Sequence, residues 1–162
     1  MTLPTTANWN EFRTAAPELA TAVEGRFRSH LHHVLATLRR DGSPRVSGTE
    51  VSFVGNDVWL GGMPGSRKML DLRRDPRFAL HSATLETDLV EGDARLTGRA
   101  VEITDRAEVQ AVLSAGGHGE GHGDALLFRL GLTEVSLVRV RGDELWIDRW
   151  SPGQEPRLVT RR

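Results

Sequence analysis

The chain has 162 residues, and 21 Lys and Arg against 22 Asp and Glu leave a net charge of −1. This length suits one domain with a substantial core, and near-neutral charge gives no overall attraction to nucleic acid or to a membrane surface. The absence of cysteine excludes disulfides and thiolate chemistry. Because no apolar run approaches the ~20 residues that span a bilayer, and residues 1–12 lack a signal-peptide pattern, we expect a cytoplasmic protein.

Residues 8–27 open the chain with helical spacing. Their apolar positions recur three or four residues apart: Trp9, Phe12, Ala16, Leu19, Ala20 and Val23. Such spacing is typical of a helix that buries one face. Pro17 interrupts the pattern, because proline cannot donate a helical hydrogen bond. The sequence therefore predicts one broken helix or two short ones.

From His33 onward the apolar spacing becomes that of strands joined by short turns. Asp41-Gly42 and Gly55-Asn56 each separate β-rich runs, which indicates tight turns between antiparallel neighbours. Three strands are therefore predicted over 33–39, 45–54 and 57–62.

The second half of the chain continues this pattern with one more helix. Strands are predicted over 77–84, 93–104, 133–140 and 143–150. A helix is predicted over 105–115, with Thr104 or Asp105 as its N-cap.

These elements favour a mainly β fold. Six or seven strands with local turns, short helices and no β-α-β alternation indicate an antiparallel barrel with helices at its edges. We expect a single domain over residues 1–162. Residues 1–28 would form a helical segment, 33–150 the barrel and 151–162 a C-terminal tail.

Residues 65–77 read GSRKMLDLRRDPR and contain five cations. Ser66 is predicted as a helix N-cap, and Pro76 ends the helix. Arg67 and Lys68 then occupy the first turn, where the helix dipole disfavours positive charge. Either both side chains extend into solvent, or an anion lies in front of this turn; we favour the anion.

Several separated motifs occur in an order that is typical of a known protein family. They are the stretch 65–68 with its short helix and 75–77, the strand-turn-strand region 35–62, the strand with Gly98, and the hairpin that ends at Asp148-Arg149-Trp150. Together they resemble the flavin-binding split barrels of the pyridoxamine 5'-phosphate oxidase type. The resemblance implies a homodimer whose cofactor clefts are built from both chains.

The resemblance also implies roles for individual residues. In that family the Ser-Arg-Lys segment holds the cofactor phosphate, which assigns it here to Ser66, Arg67 and Lys68. Arg149 would reach in from the second subunit. The other implied cofactor residues are Arg45, Val46, Ser47 and Gly48 along the ring and ribityl chain, with Gly61 and Gly62 where backbone approaches closely. An exposed strand position for Arg45, and a strand bend at the two glycines, are the alternatives.

The departures from the family bear on substrate and cofactor. Its pyridoxamine phosphate oxidases carry Arg-x-His before the Asp-Arg pair, whereas residues 145–147 here read LWI, so vitamin-B6 oxidation is not expected. A carboxylate near Asp93 replaces a flavin-contacting glutamine. The sequence DLRRDPR at 71–77 also resembles that of relatives that use the deazaflavin F420. The polyanionic tail of F420 would suit the cations at Arg39, Arg40, Arg73 and Arg74. FMN is the expected cofactor, with F420 as the alternative.

Residues 116–124 (GGHGEGHGD) place two histidines among glycines. With Glu120 and Asp124 they offer metal-ligand chemistry, but a glycine-rich segment holds fixed geometry at high entropic cost. We therefore expect a flexible loop and no metal site. Because related barrels bind haem, His118 or His122 as an axial ligand is a minor hypothesis.

The resulting prediction is a flavin- or deazaflavin-dependent oxidoreductase that transfers hydride between its cofactor and a small conjugated substrate. No residue stands out as a catalytic acid or base. The alternative is a non-catalytic carrier or sensor that holds haem or flavin in the same dimer cleft. Nucleic acid is not expected as a partner, because no aromatic residues interleave with the arginines, and no membrane is expected either.

Overall fold

The computed structural model describes residues 2–118 and 123–162. In this part of the chain the elements follow in the order α1 (Trp9–Ala15), α2 (Pro17–Arg28), β1 (His33–Leu38), β2 (Pro44–Thr49), β3 (Ser52–Val54), β4 (Asp57–Gly62), α3 (Arg67–Arg74), β5 (Arg77–His81), β6 (Asp93–Ile103), α4 (Arg106–Ala115), β7 (Leu126–Arg141), β8 (Glu144–Trp150) and β9 (Arg157–Arg161). None of the helices in these ranges is long and apolar enough to cross a membrane.

The predicted N-terminal helical segment is two short helices. Asn8 caps α1 by accepting a hydrogen bond from the Glu11 backbone N–H at 2.8 Å, and the Glu11 side chain returns the bond. Pro17 occupies the first position of α2, where its missing N–H costs nothing. Trp9 and Phe12 face the core, with ring centroids 5.1 Å apart. The interruption expected at Pro17 is confirmed.

All strands of the described chain pair antiparallel in one sheet. The order is β2-β1-β5-β6-β7-β4-β3, with β8 added to β7 and β9 to β8. The expected antiparallel split barrel with peripheral helices is confirmed.

The number of strands is nine rather than six or seven. The predicted strand over 45–54 is divided, because β2 pairs with β1 whereas β3 pairs with β4. Residues 151–162, expected as a tail, contain β9, which pairs with β8. Strand β7 also begins earlier than predicted and includes residues 126–132.

Two apolar clusters position the site. The larger joins the inner face of the sheet to α1 and α2, and it receives Met69 and Leu72 from α3. The smaller lies beneath α4 and includes Trp59, Leu113 and Leu127. Asp105 caps α4 as predicted, accepting from the Glu108 backbone N–H at 2.9 Å. Strand β4 is therefore held between α3 and α4.

His33 is buried at the start of β1. Its Nδ1 accepts a hydrogen bond from the Ala83 backbone N–H at 3.1 Å, and its ring packs edge-on against Phe27. Burial lowers the pKa of His33, and charge on His30 or His32 also lowers it. The imidazole therefore binds a proton less readily in the folded chain than in the unfolded chain.

This histidine predicts a pH dependence of stability. The unfolded chain protonates the ring at higher pH than the folded chain, so the free energy of unfolding should fall as pH drops below the ordinary pKa of 6.5. His33→Asn retains an acceptor but cannot be protonated, so its loss should be smaller. Urea unfolding at about pH 7.5 and about pH 5.5 measures both proteins. Equal losses in the two proteins would contradict this role of His33.

Candidate functional site

Helix α3 begins with two cations in its first turn. Ser66 occupies the predicted N-cap position with extended backbone (φ −64°, ψ 127°), and its side chain makes no capping hydrogen bond. The first turn has no acidic residue, although the helix dipole favours one there. The exposed Arg67 side chain makes no hydrogen bond or ion pair with any residue that the structure describes. This arrangement of free backbone N–H groups and a cation suits a phosphate.

Lys68 connects α3 to strand β2. Its Nζ donates a hydrogen bond to the backbone oxygen of Gly48 at 2.6 Å. Burial lowers the pKa of the Lys68 ammonium, and the Glu50 carboxylate acts in the opposite direction. The Lys68 ammonium is therefore held in a partly desolvated position, where its attraction for an anion is stronger than in open water.

A cleft of about 310 Å³ surrounds this ammonium, and we call it the Lys68 cleft. It is lined by His32, Gly48, Thr49, Glu50, Ser52, Gly61, Lys68 and His118. The His118 Nε2 lies 3.5 Å from the Ser52 hydroxyl oxygen, and Glu50 lies 3.8 Å from the His32 Nδ1. Polar groups and glycines rather than bulky apolar side chains form most of this wall.

The two glycines that end β4 differ in what they permit. A Cβ on Gly62 would lie 2.9 Å from the Met69 Cγ, so the missing side chain lets α3 pack closely on the strand. A Cβ on Gly61 would lie 3.5 Å from the Leu113 Cδ2 and 4.0 Å from the Leu126 backbone oxygen, which are ordinary contacts. Packing alone therefore accounts for Gly62, whereas Gly61 leaves the wall of the Lys68 cleft open.

His118 also lines a second cleft, of about 400 Å³, together with Gly62 and Asp124. Its backbone N–H donates to the Leu113 carbonyl oxygen at 2.9 Å and so continues the end of α4. The other two residues of the histidine-glycine hypothesis, Glu120 and His122, lie outside the described residues. Within 2–118 and 123–162, no three His, Cys, Asp or Glu side chains gather as metal ligands would.

A cleft of about 710 Å³ lies against another face of α3, and we call it the arginine cleft. Its lining consists of Arg39, Arg40, Asp41, Arg45, Arg67, Leu70, Asp71, Arg73 and Arg74. Six arginines thus meet two carboxylates in a chain whose net charge is −1. Among the described residues, only Arg73 of these arginines forms an ion pair with a residue outside the cleft, through two hydrogen bonds to Glu102 of 2.9 and 2.6 Å. Arg39 and Arg74 donate to backbone oxygens, of Pro44 and Leu38. The excess of positive charge suits a ligand with several anionic groups.

Asp71 forms the buried floor of the arginine cleft. Its Oδ2 accepts hydrogen bonds from the Thr37 Oγ1 at 2.9 Å and the Arg45 Nε at 2.6 Å. Its Oδ1 accepts from an Arg74 terminal nitrogen at 2.9 Å. Burial raises the pKa of Asp71, but these hydrogen bonds outweigh burial and bring the pKa below its usual value. The carboxyl group is therefore charged.

Strand β2 carries four of the predicted cofactor residues on alternating faces. Arg45 turns toward α3 and pairs with Asp71, whereas Val46 is 71% exposed on the opposite face. Ser47 lies on the Arg45 side and is half-buried. Gly48 lines the Lys68 cleft and Arg45 lines the arginine cleft, so the two clefts meet the same strand at different points.

Arg149 is not joined to these residues within one chain. It lies on β8, and its guanidinium pairs with Glu134 of β7. No hydrogen bond or ion pair links it to α3 among the residues that the structure describes. A role for Arg149 in a site formed with a second subunit stays a prediction.

The sequence interpretation missed Asp71. Its signal was the spacing on α3: Asp71 follows Arg67 by four residues and precedes Arg74 by three. Side chains at these intervals are neighbours on one helix face, so an ion pair was foreseeable. Its contacts with Thr37 and Arg45 come from strands distant in sequence, and local spacing does not reveal them.

Comparison with known proteins identifies a family match. Residues 19–139, well over half of the chain, match the family described as pyridoxamine 5'-phosphate oxidase. No curated protein matches the sequence.

Three solved structures illustrate the shared fold. A haem-binding protein from Mycobacterium smegmatis is 24% identical, with a TM-score of 0.60, over 80% of this chain and 57% of that one. PhzG from Burkholderia lata, in complex with tetrahydrophenazine-1-carboxylic acid, is 17% identical, with a TM-score of 0.63, over 95% of this chain and 93% of that one. A pyridoxamine 5'-phosphate oxidase-related, FMN-binding protein from Nostoc punctiforme is 16% identical, with a TM-score of 0.59, over 91% of this chain and 96% of that one. This chain thus spans less than two thirds of the haem-binding protein.

Proposed function

The chain belongs to the pyridoxamine 5'-phosphate oxidase family, and from that premise we propose that it is a flavin- or deazaflavin-dependent oxidoreductase. The cofactor is FMN or, alternatively, F420, and the reaction transfers hydride between the cofactor ring and a small conjugated substrate. Family membership and the fold shared with an FMN-binding protein support this proposal.

One observation carries the proposal: the first turn of α3 contains two cations at the positive end of the helix dipole, where they are unfavourable unless an anion binds. Ser66, Arg67 and Lys68 would bind the cofactor phosphate through backbone N–H groups and two cations. Because Arg67 has no partner among the described residues and Lys68 has only a backbone oxygen, both cations can take up a phosphate without breaking an ion pair.

The Lys68 cleft would hold the ring and the ribityl chain beside that phosphate. Gly48 and Gly61 supply backbone surface there, while Arg45, Val46, Ser47 and Gly62 complete the proposed contacts. When bound, the cofactor supplies the hydride chemistry. The chain's own part is to anchor the phosphate, orient the ring and exclude water from one of its faces.

Pyridoxamine phosphate is a poor fit as substrate. Leu145, Trp146 and Ile147 stand where that activity needs cations. The Trp146 ring lies 5.3 Å from the Arg141 guanidinium carbon, and its Nε1 faces Glu144. This part of β8 therefore presents an aromatic side chain and no cation at residues 145–147.

The arginine cleft is the observation that favours F420 as the alternative cofactor. FMN presents a single phosphate, whereas F420 adds a polyanionic tail. Arg39, Arg40 and Arg74 lie in one cleft with Arg67, so a ligand bound at the first turn of α3 could extend over them. Arg73 is less available, because Glu102 already engages it.

Cofactor titration followed by turnover tests the proposal. The purified protein is titrated with FMN and, separately, with F420, and binding is followed by cofactor fluorescence. We expect micromolar or tighter binding of one of them, ~8 kcal/mol or more. The loaded protein should then accept electrons from a chemical reductant and pass them to a quinone-type acceptor. Binding without turnover would favour the carrier, and no binding of either cofactor would contradict the proposal.

We further propose a homodimer in which Arg149 reaches the cofactor bound mainly by the partner. Arg149→Ala should then weaken FMN binding by ~1.5 to 3 kcal/mol, because a charge-assisted hydrogen bond is lost. Glu134→Gln is the matched control, since it frees Arg149 from its ion pair while keeping the cation. Light scattering at micromolar concentration measures assembly. A monomer, or an unchanged affinity in Arg149→Ala, would contradict this assignment.

The second candidate is a non-catalytic haem or flavin carrier. It is supported by the fold shared with the haem-binding protein from Mycobacterium smegmatis and by the position of His118 in the walls of two clefts. Titration with haem tests it: a Soret band lost in His118→Ala would support haem ligation. Saturable FMN binding with redox turnover, and no such band, would exclude it.

A further inference from the structure

Asp71 stands out because a charged carboxylate is costly to bury. It is 3% exposed and is the one buried acidic residue in the described part of the chain. Removing such a group from water is unfavourable unless several donors replace the lost hydration. A buried ion pair is often no more stabilising than apolar packing of the same volume, so stability alone gives little reason to keep it.

The donors around Asp71 come from three elements. Thr37 of β1 and Arg45 of β2 bind the same oxygen, and Arg74 of α3 binds the other. Arg74 also donates to the Leu38 backbone oxygen at 2.5 Å. One carboxylate therefore fixes two guanidinium groups and leaves one positive charge in excess.

The bonded atoms determine what each arginine still offers. Asp71 engages Arg45 through Nε, and no other hydrogen bond of Arg45 occurs among the described residues, so both of its terminal nitrogens stay available to the arginine cleft. A guanidinium whose orientation is already set loses less entropy when it binds phosphate or carboxylate. Asp71 itself is only 3% exposed at the floor of the cleft, and both of its carboxylate oxygens already accept hydrogen bonds, so it offers a ligand little surface.

We propose that Asp71 is a positioning residue for anion binding, which holds Arg45 and Arg74 in the orientation that contacts the cofactor phosphate bound at Arg67, a residue that lines the same cleft. This inference rests on the proposed function, because it concerns the affinity for that same cofactor. It assigns a negatively charged residue the task of strengthening the binding of a negatively charged group.

That assignment separates positioning from simple electrostatics. If Asp71 only contributed charge, Asp71→Asn would make the cleft more positive, and anions would bind more tightly. If Asp71 orients the two arginines, Asp71→Asn frees them to rotate, and anions bind more weakly. The two accounts predict changes of opposite sign.

The experiment compares FMN with riboflavin, which lacks the phosphate, on the wild type and on Asp71→Asn. We expect FMN affinity to fall roughly tenfold while riboflavin affinity stays nearly constant. Asp75→Asn is the matched control: it makes the same change four residues along, where the carboxylate pairs with Arg77 outside the cleft. Its FMN affinity should equal that of the wild type.

Thr37→Val keeps the inference testable if Asp71→Asn does not fold. It removes one hydrogen bond to Asp71 without altering any charge, and FMN affinity should again fall while riboflavin affinity does not. Unchanged or tighter FMN binding in Asp71→Asn, or equal losses for both ligands, would overturn the inference. If the wild type binds F420 and not FMN, the same variants are titrated with F420, and its affinity should fall in Asp71→Asn and not in Asp75→Asn. Failure of the wild type to bind either cofactor would instead contradict the proposed function itself.

Discussion

Arg67→Ala is expected to weaken FMN binding by ~1.5 to 3 kcal/mol, which is roughly 10- to 150-fold. The loss arises because a charge-assisted hydrogen bond to the phosphate disappears at a helix N-terminus that has no acidic residue to replace it. Since Arg67 makes no hydrogen bond or ion pair with a described residue, the melting temperature should not fall. Titration of cofactor fluorescence gives the affinity, and thermal unfolding gives the stability.

Lys68→Ala should produce a similar loss of affinity together with a small loss of stability. Lys68 also bonds the Gly48 backbone oxygen, so its removal loosens the contact between α3 and β2. Arg77→Ala is the control from the same basic stretch, because Arg77 pairs with Asp75 beyond the end of the helix. Wild-type affinity in both Arg67→Ala and Lys68→Ala would remove the phosphate assignment.

Gly98→Ala is expected to destabilise the fold by ~3 kcal/mol or more. Gly98 follows a register shift in β6, and a Cβ there would lie 1.8 Å from the Gly131 backbone oxygen and 3.1 Å from the Leu132 Cα. Backbone atoms of the central strand pair β6–β7 cannot move aside as a flexible side chain can. The substitution must therefore break the pairing or displace a strand.

Gly25→Ala is the matched control for that substitution. Gly25 lies inside α2, and a Cβ there meets nothing within 4 Å. Alanine should stabilise the helix by ~0.5 to 1 kcal/mol. Thermal unfolding compares both variants, with ~1 kcal/mol corresponding to about 2 to 4 °C in a domain of this size. A melting temperature of Gly98→Ala within 2 °C of the wild type would show that the β6–β7 contact is not tight.

Elements with local signals were predictable from sequence. Pro17 marked the break between α1 and α2, and Ser66 and Pro76 enclosed α3. Asp105 marked the start of α4. In each case a capping side chain or a proline acts within a few residues, so no knowledge of the tertiary structure is needed.

Features that depend on partners distant in sequence were not predictable. Strands β2 and β3 part near Glu50 because they pair with different strands, and the run of β-rich residues does not show where this happens. Strand β9 is exposed along its whole length, so no apolar alternation marks it. Its place in the sheet comes from backbone pairing with β8.

The candidate site also combines features that were predictable from local sequence with features that were not. The cations of the first turn of α3 were evident from the capping rules that they break. Their surroundings were not, because the arginine cleft joins α3 to the β1–β2 turn and to Arg45 through the buried Asp71. In the proposed homodimer, the position of Arg149 relative to the cofactor would depend on a second chain, which one sequence read alone does not supply.

The central claim is that the first turn of α3 binds the phosphate of a flavin-type cofactor, and comparing FMN with riboflavin on the wild-type protein tests it most directly. The two ligands share the ring and the ribityl chain and differ only in the phosphate. We expect FMN to bind at least tenfold more tightly, with the advantage falling as salt screens the cations. Equal affinity for FMN and riboflavin would contradict the claim.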